Sequence, residues 1–126
     1  MDVGTNSVAP NTVLSVDKVA SWESRIRDRD VVTQLFQVNT AGGDELAIQA
    51  SVFDARGFDL EQGHGDRVRT SGLDLRYGYA ENGASMVIYQ SANGLGYVFS
   101  ATELTPQMLV TIVTSEDLVT KVAPPR

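Results

Sequence analysis

The sequence predicts an α+β fold: an antiparallel β-meander of about six to seven strands with one C-terminal α-helix packed on a face. Three observations lead there. Apolar residues alternate with period two through most of the chain, Asn-Gly pairs separate the later runs, and the period becomes helical only near the C-terminus.

Residues 1–11, "MDVGTNSVAPN", are polar, rich in turn formers and without periodicity, and read as a flexible tail or linker. Alternation begins at Thr12 and runs to Val19, which predicts a first strand. The next stretch, "ASWESRIRDRD", either continues that strand, with Trp22, Ser24, Ile26 and Asp28 on one parity, or forms a short charged helix. "VVTQLFQVNT", "AGGD" and "ELAIQASVF" then read as a hairpin. In its second arm Leu46, Ile48, Ala50 and Val52 share a face. In the first arm the even-numbered residues Val32, Gln34, Phe36 and Val38 are expected to face the core.

A polar loop, "DARGFDLEQGHGD", leads to three further runs, "LDLRYGYA", "ASMVIYQS" and "LGYVFSA". Asn82-Gly83 and Asn93-Gly94 separate them. Such pairs favour tight hairpins in which both turn positions take positive φ. Thr105 then reads as an N-cap, Pro106 as the first helical residue, and Leu109, Ile112 and Val113 as an apolar stripe. "VTKVAPPR" ends the chain. The expected organisation is one domain over residues 12–119 with a C-terminal tail over 120–126.

A chain of 126 residues is long enough to bury a core without staples. Cysteine is absent, which excludes a disulfide framework, a thiolate metal site and a cysteine nucleophile. The net charge of −6 disfavours a phosphate backbone as partner, and the one dense basic run, "RIRDRD", is interleaved with acids. No nucleic acid is therefore expected. No apolar run approaches the roughly 18 residues that span a bilayer, so this segment is not expected to insert. Nor does the N-terminus show a basic start followed by an apolar core.

The opening "MDVGTNSV" has the look of an Asp-Gly-Thr turn that holds metal and phosphate in some nucleotide-handling folds. That chemistry needs an apolar strand before the Asp and further carboxylates on later strands, and only Met1 precedes Asp2. His64 is the only histidine, with Asp59, Glu61 and Asp66 nearby. It could serve as a general base or bind a divalent ion, but the spacing matches no metal motif. "TAGGDE" lies between two strands, so its glycines serve the turn. No nucleophile, base and acid can be assembled, and neither catalysis, a metal nor a cofactor is expected. Tyr77, Tyr79, Tyr89 and Tyr97 fall on adjacent strands. Cross-strand aromatic pairing is the usual structural cause of such a pattern, and a tyrosine-lined contact surface is the alternative.

The segment over residues 66–116 resembles the extracytoplasmic domains of bacterial, especially actinobacterial, anti-sigma factors and related envelope lipoproteins. The likeness lies in a short strand after a Gly ("SGLDLRYGYA"), an apolar strand with an aromatic ("MVIYQS"), an aromatic strand after a Gly turn ("GLGYVFSA") and a closing helix ("ELTPQMLVTIV"). It departs from that pattern in lacking a Trp in the middle strand and in carrying Gln107 where an acid is usual. The resemblance implies a non-catalytic sensory or binding domain held outside the membrane by an anchor before residue 1. It would contact a protein or small-molecule ligand in the envelope, with Tyr77, Tyr79, Tyr89 and Tyr97 first as contact residues and the His64 loop second. The alternatives are a small, soluble, cytoplasmic acidic protein of the immunity or inhibitor type that binds a basic partner, and a compact enzyme using His64 with Asp59 or Asp66. A flat sheet edge would also support a dimer.

Overall fold

The computed structural model describes residues 12–26, 28–56 and 65–122. Seven strands form one antiparallel sheet: β1 (Val13–Ile26), β2 (Arg29–Thr40), β3 (Glu45–Asp54), β4 (Asp66–Thr70), β5 (Leu73–Tyr79), β6 (Ser85–Gln90) and β7 (Leu95–Ala101). Two short helices follow, α1 (Pro106–Ser115) and α2 (Leu118–Lys121). The strand order is β1-β2-β3-β7-β6-β5-β4. Each half of the sheet is thus a run of local hairpins, and β3 with β7 is the single non-local junction. "ASWESRI" continues the first strand, and "DRVRT", of which only Asp66 falls in the expected loop and the rest in no expected element, is the edge strand β4.

Register turns the alternation of single strands into a continuous face. Phe36 lies opposite Ile48, Ala50 opposite Phe99, Val87 opposite Phe99 and Leu75 opposite Tyr89. Phe36, Val38, Ile48, Val52, Leu75, Val87 and Phe99 are all buried in one cluster that also contains Leu109, Ile112, Val113 and Leu118 from the helices. Each such side chain gains roughly 1.5–3 kcal/mol by leaving water. On β2 the even-numbered residues do face this cluster, but Val31 and Thr33 are buried as well, so that strand is covered on both faces.

The helix begins as its sequence dictates. Thr105 Oγ1 accepts the Met108 N–H at 3.2 Å, and Pro106 occupies the first turn, where its missing N–H costs nothing. Val110, Thr111, Ile112, Val113 and Thr114 are consecutive β-branched residues, poor helix formers whose χ1 freedom is lost against the preceding turn. Two of them spend their hydroxyls inside the helix, Thr111 on the Gln107 carbonyl and Thr114 on the Val110 carbonyl. A helix this short and this composed depends on burial of Leu109, Ile112 and Val113 for its stability. Asp117, at φ 54°, ends it and starts α2. The packed chain then runs on past residue 119: Leu118 and Val122 are both buried, and the Val122 N–H reaches the Leu118 carbonyl at 3.1 Å.

Three hairpins share one loop design that differs from the expected tight turn. At Ala80–Ala84, the Gly83 N–H bonds the Ala80 carbonyl at 2.9 Å and the Ala80 N–H bonds the Ala84 carbonyl at 2.8 Å. Thr40–Asp44 and Ser91–Leu95 repeat both bonds. Only the glycine of each Asn-Gly pair has positive φ, so these are three-residue loops, a type I turn followed by a left-handed Gly. Positive φ at two successive positions occurs instead at Ser71-Gly72, which turns β4 into β5.

Among the described residues no helix is long and apolar enough to cross a membrane. Gly83 and Gly94 give a paired test of the loop design. A Cβ on Gly83 meets nothing within 4 Å, so Gly83→Ala should cost about 1 kcal/mol from its positive φ alone. A Cβ on Gly94 would lie 2.5 Å from Arg56 Cγ. Gly94→Ala should therefore cost clearly more in urea denaturation, and the excess should disappear in an Arg56→Ala background.

Candidate functional site

All four tyrosines lie on the face that carries the buried cluster, because β5, β6 and β7 each present their odd-numbered residues there. Tyr89 stands directly opposite Tyr97, with ring centroids 5.6 Å apart and planes tilted by 39°. Tyr97 in turn stacks along its own strand on Phe99 at 6.5 Å. Tyr97 is 7% exposed. Burial pushes its phenol pKa up, with the neighbouring Tyr89 adding to the effect. Tyr77 and Tyr89 pack half-buried against the same cluster. Tyr79, at the end of β5, is 66% exposed. The four tyrosines thus form a graded series from core to solvent, and only Tyr79 offers most of its ring outward. His64, Asp59, Glu61 and the opening "MDVGTNSV" lie outside the described residues; Asp66, at the start of β4, is exposed.

The exposed apolar surface is elsewhere. Of the five exposed large apolar side chains among the described residues, Leu14, Val19, Trp22 and Ile26 are on β1, and Tyr79 is the fifth. β1 is an edge strand, so one of its sides has no neighbour in the sheet. Two register shifts interrupt its pairing with β2, and the residues left without a partner at those points are Leu14 and Val19. A bulge adds a residue that the ladder cannot accommodate, which turns its side chain away from regular alternation. Trp22 and Ile26 lie on the regular part of the strand, opposite Thr33 and Arg29. Charged Asp17, Lys18, Glu23 and Arg25 are interleaved with them and exposed. At the far end of the β1–β2 hairpin Arg25 pairs with Asp30 at 3.2 Å, and near its start Asn39 donates to Ser15 Oγ at 2.8 Å.

Two charged clusters lie on other strands of the sheet. At the end of β3, Arg56 Nε donates to Asp54 Oδ1 at 2.9 Å and Arg29 donates to the Asp54 carbonyl at 2.6 Å. The Arg56 hydrogen bonds hold the Asp54 carboxyl well below the usual carboxylate range. On β4 and β5, Arg67 meets Asp74 at 2.9 Å and Arg69 lies 3.8 Å from the same carboxylate. Arg76, opposite Arg67 in the register, donates to the Gly65 carbonyl at 3.4 Å, and its buried Nε makes no hydrogen bond. A shallow groove of about 360 Å³ runs between Thr12–Val13 and α1, where Met108, Thr111, Ser115 and Glu116 line it. No group of three or more His, Asp or Glu that could hold a metal occurs among the described residues.

No protein-family model, curated protein or solved structure matches this chain. The arrangement itself offers shape and apolar contact at an edge, and charge at two corners. The sequence points to the tyrosines first and the His64 loop second as contact residues, and the exposed apolar side chains of β1 are a separate feature. The available signal was the mixture of Trp, Ile and Val with alternating charges in a first strand, the composition of a managed sheet edge.

The depressed Asp54 pKa fixes a pH dependence. Because the folded value lies below the ordinary 3.8, the Asp54–Arg56 contribution is present above that value and is lost as pH falls through the lower folded one. Urea midpoints of Asp54→Asn should accordingly fall below those of the parent at neutral pH and converge with them in strong acid. Alkaline titration followed at 295 nm tests the shifted phenol: Tyr97→Phe should remove the step that the parent shows above the ordinary phenol value of 10.0.

Proposed function

We propose that the chain is a non-catalytic binding domain displayed outside the membrane and tethered in the full-length protein, and that it contacts a protein partner through the β1 edge. The observation that supports this reading is the gathering of Leu14, Val19, Trp22 and Ile26 on one free edge strand. Isolated apolar side chains on a surface need no explanation, and the placing of four of the five exposed large ones on a single unpaired strand supports a contact surface there. In this reading α1 packs on the tyrosine-bearing face of the sheet. Tyr77, Tyr89 and Tyr97 then serve the core, and Tyr79 is the tyrosine left to touch a partner. The resemblance of residues 66–116 to extracytoplasmic anti-sigma-factor and lipoprotein domains supports the location. The mechanism is mass action: a partner that binds only the folded form stabilises it and shifts its exposure to proteolysis.

The net charge of −6 supports a second reading, a small soluble acidic protein of the immunity or inhibitor type aimed at a basic partner. Association of that kind would be fast and would weaken steeply with salt. The coding DNA immediately upstream of Met1 separates the two. An in-frame apolar segment of about 20 residues, or a lipidation signal, is the outcome expected for a tethered domain. A translation start at Met1 with neither would overturn the tethered reading in favour of the second. For either reading, Trp22 is the only tryptophan, so occupation of the edge should shift its emission to shorter wavelength.

A further inference from the structure

We infer that the occupant of the β1 edge is a second copy of the same chain, paired antiparallel about a two-fold axis at Ser21; this rests on the reading of β1 as the contact surface. The β2 partners of β1 give each residue its place along the ladder, with Leu14 and Val19 as the extra residues. Once those two are allowed for, an axis at Ser21 sets Lys18 opposite Glu23 of the second copy and Glu23 opposite its Lys18. The same axis sets the small Ala20 opposite Trp22 of the second copy, and Ser15 opposite its Ile26. Val19, next to Ala20, then lies beside the second copy's Trp22, and Leu14, next to Ser15, beside its Ile26. Every exposed apolar side chain of β1 acquires an apolar neighbour, and the Lys18–Glu23 ion pair forms twice, once on each side of the axis.

Neighbouring registers do not achieve this. An axis at Trp22 sets Lys18 opposite Arg25, and an axis at Lys18 or Glu23 sets like charges face to face, which is unfavourable on adjacent strands. An axis at Ala20 sets Lys18 opposite Ser21 and Asp17 opposite Trp22, and forms no ion pair. Two bulges and alternating charges blunt an edge against arbitrary strands, and a strand with the same bulges and the reverse charge order is a second copy of this one. The interface is isologous, as a closed dimer requires.

The test is charge exchange in the full chain, read by sedimentation and by Trp22 emission across protein concentration. Lys18 and Glu23 are exposed, so their substitution leaves the core alone. Lys18→Glu and Glu23→Lys should each weaken the dimer roughly tenfold, since each sets like charges opposite one another twice. An equimolar mixture of the two variants should form a heterodimer about as tight as the parent, because both opposite-charge pairs return, and the double variant K18E/E23K should self-associate like the parent. A parent that stays monomeric up to about 1 mM overturns the proposal. So does a dimer that is indifferent to these exchanges, or one that forms without a change in Trp22 emission. A monomer would leave the binding-domain reading standing, because the upstream coding sequence and the response of Trp22 to a different partner decide that separately.

Discussion

The pairing of β3 with β7 is the constraint on which the rest of the molecule depends. Every other strand pair is a hairpin between sequence neighbours, and each would form the same contacts within its own half. Ala50 against Phe99 and Val52 against Tyr97 join those halves and make one apolar face out of two. Side chains alternate with a period of two, so a slip of one residue at this junction would turn one half inside out relative to the other. Gly96 opposite Phe53, and Ser100 opposite Gln49, occupy the opposite face at the same junction. The contrast between the faces holds the register more firmly than the hydrogen bonds alone, which a slipped strand could largely recover.

The same constraint explains why the tyrosines and the exposed apolar residues have separate tasks. Tyr89 and Tyr97 sit beside the junction, where cross-strand rings fill the width of the core. β1 is two strands away, and its partner β2 is already buried on both faces from Val31 to Gln34. Side chains on β1 therefore add little to the core and are free to vary for contact. The corner at Asp54, Arg56 and Gly94 ties the end of β3 to the β6–β7 turn, with the Ala55 N–H on the Gly94 carbonyl at 2.8 Å. The Asp54–Arg56 pair lies within that end of β3, and the backbone hydrogen bond is what crosses to the turn.

Most of the fold was legible because local chemistry and global position agree for most elements. Leu46, Ile48, Ala50 and Val52 alternate cleanly since β3 has one buried face, and Thr105-Pro106 announces a helix start that tertiary context does not override. β4 was missed because Arg67, Val68 and Arg69 place a single apolar residue between two charges, too short a pattern to separate from a loop. The hairpins at Asn82-Gly83 and Asn93-Gly94 were found although their geometry was not. A left-handed Gly after a type I turn and a two-residue turn draw on the same residues, and only the backbone distinguishes them. The edge character of β1 depends on what does not lie beside it, and a strand's own residues record that only indirectly. Bulges at Leu14 and Val19 shift the parity midway, so its alternation suggested no single face. The candidate site was accordingly the least legible part, while the core residues among the tyrosines were already favoured by cross-strand pairing.

The strand order also has a consequence for synthesis. When β3 leaves the ribosome its inner edge has no neighbour, and the strand that will cover it comes last of the seven. The run from Ile48 to Val52 must wait while β4, β5 and β6 are made, for roughly two to ten seconds at ordinary elongation rates. During that interval the nascent chain presents a three-stranded ribbon with one naked apolar face and two open borders. A chaperone that shields such a ribbon, or rapid translation between β3 and β7, would therefore raise the yield of this domain.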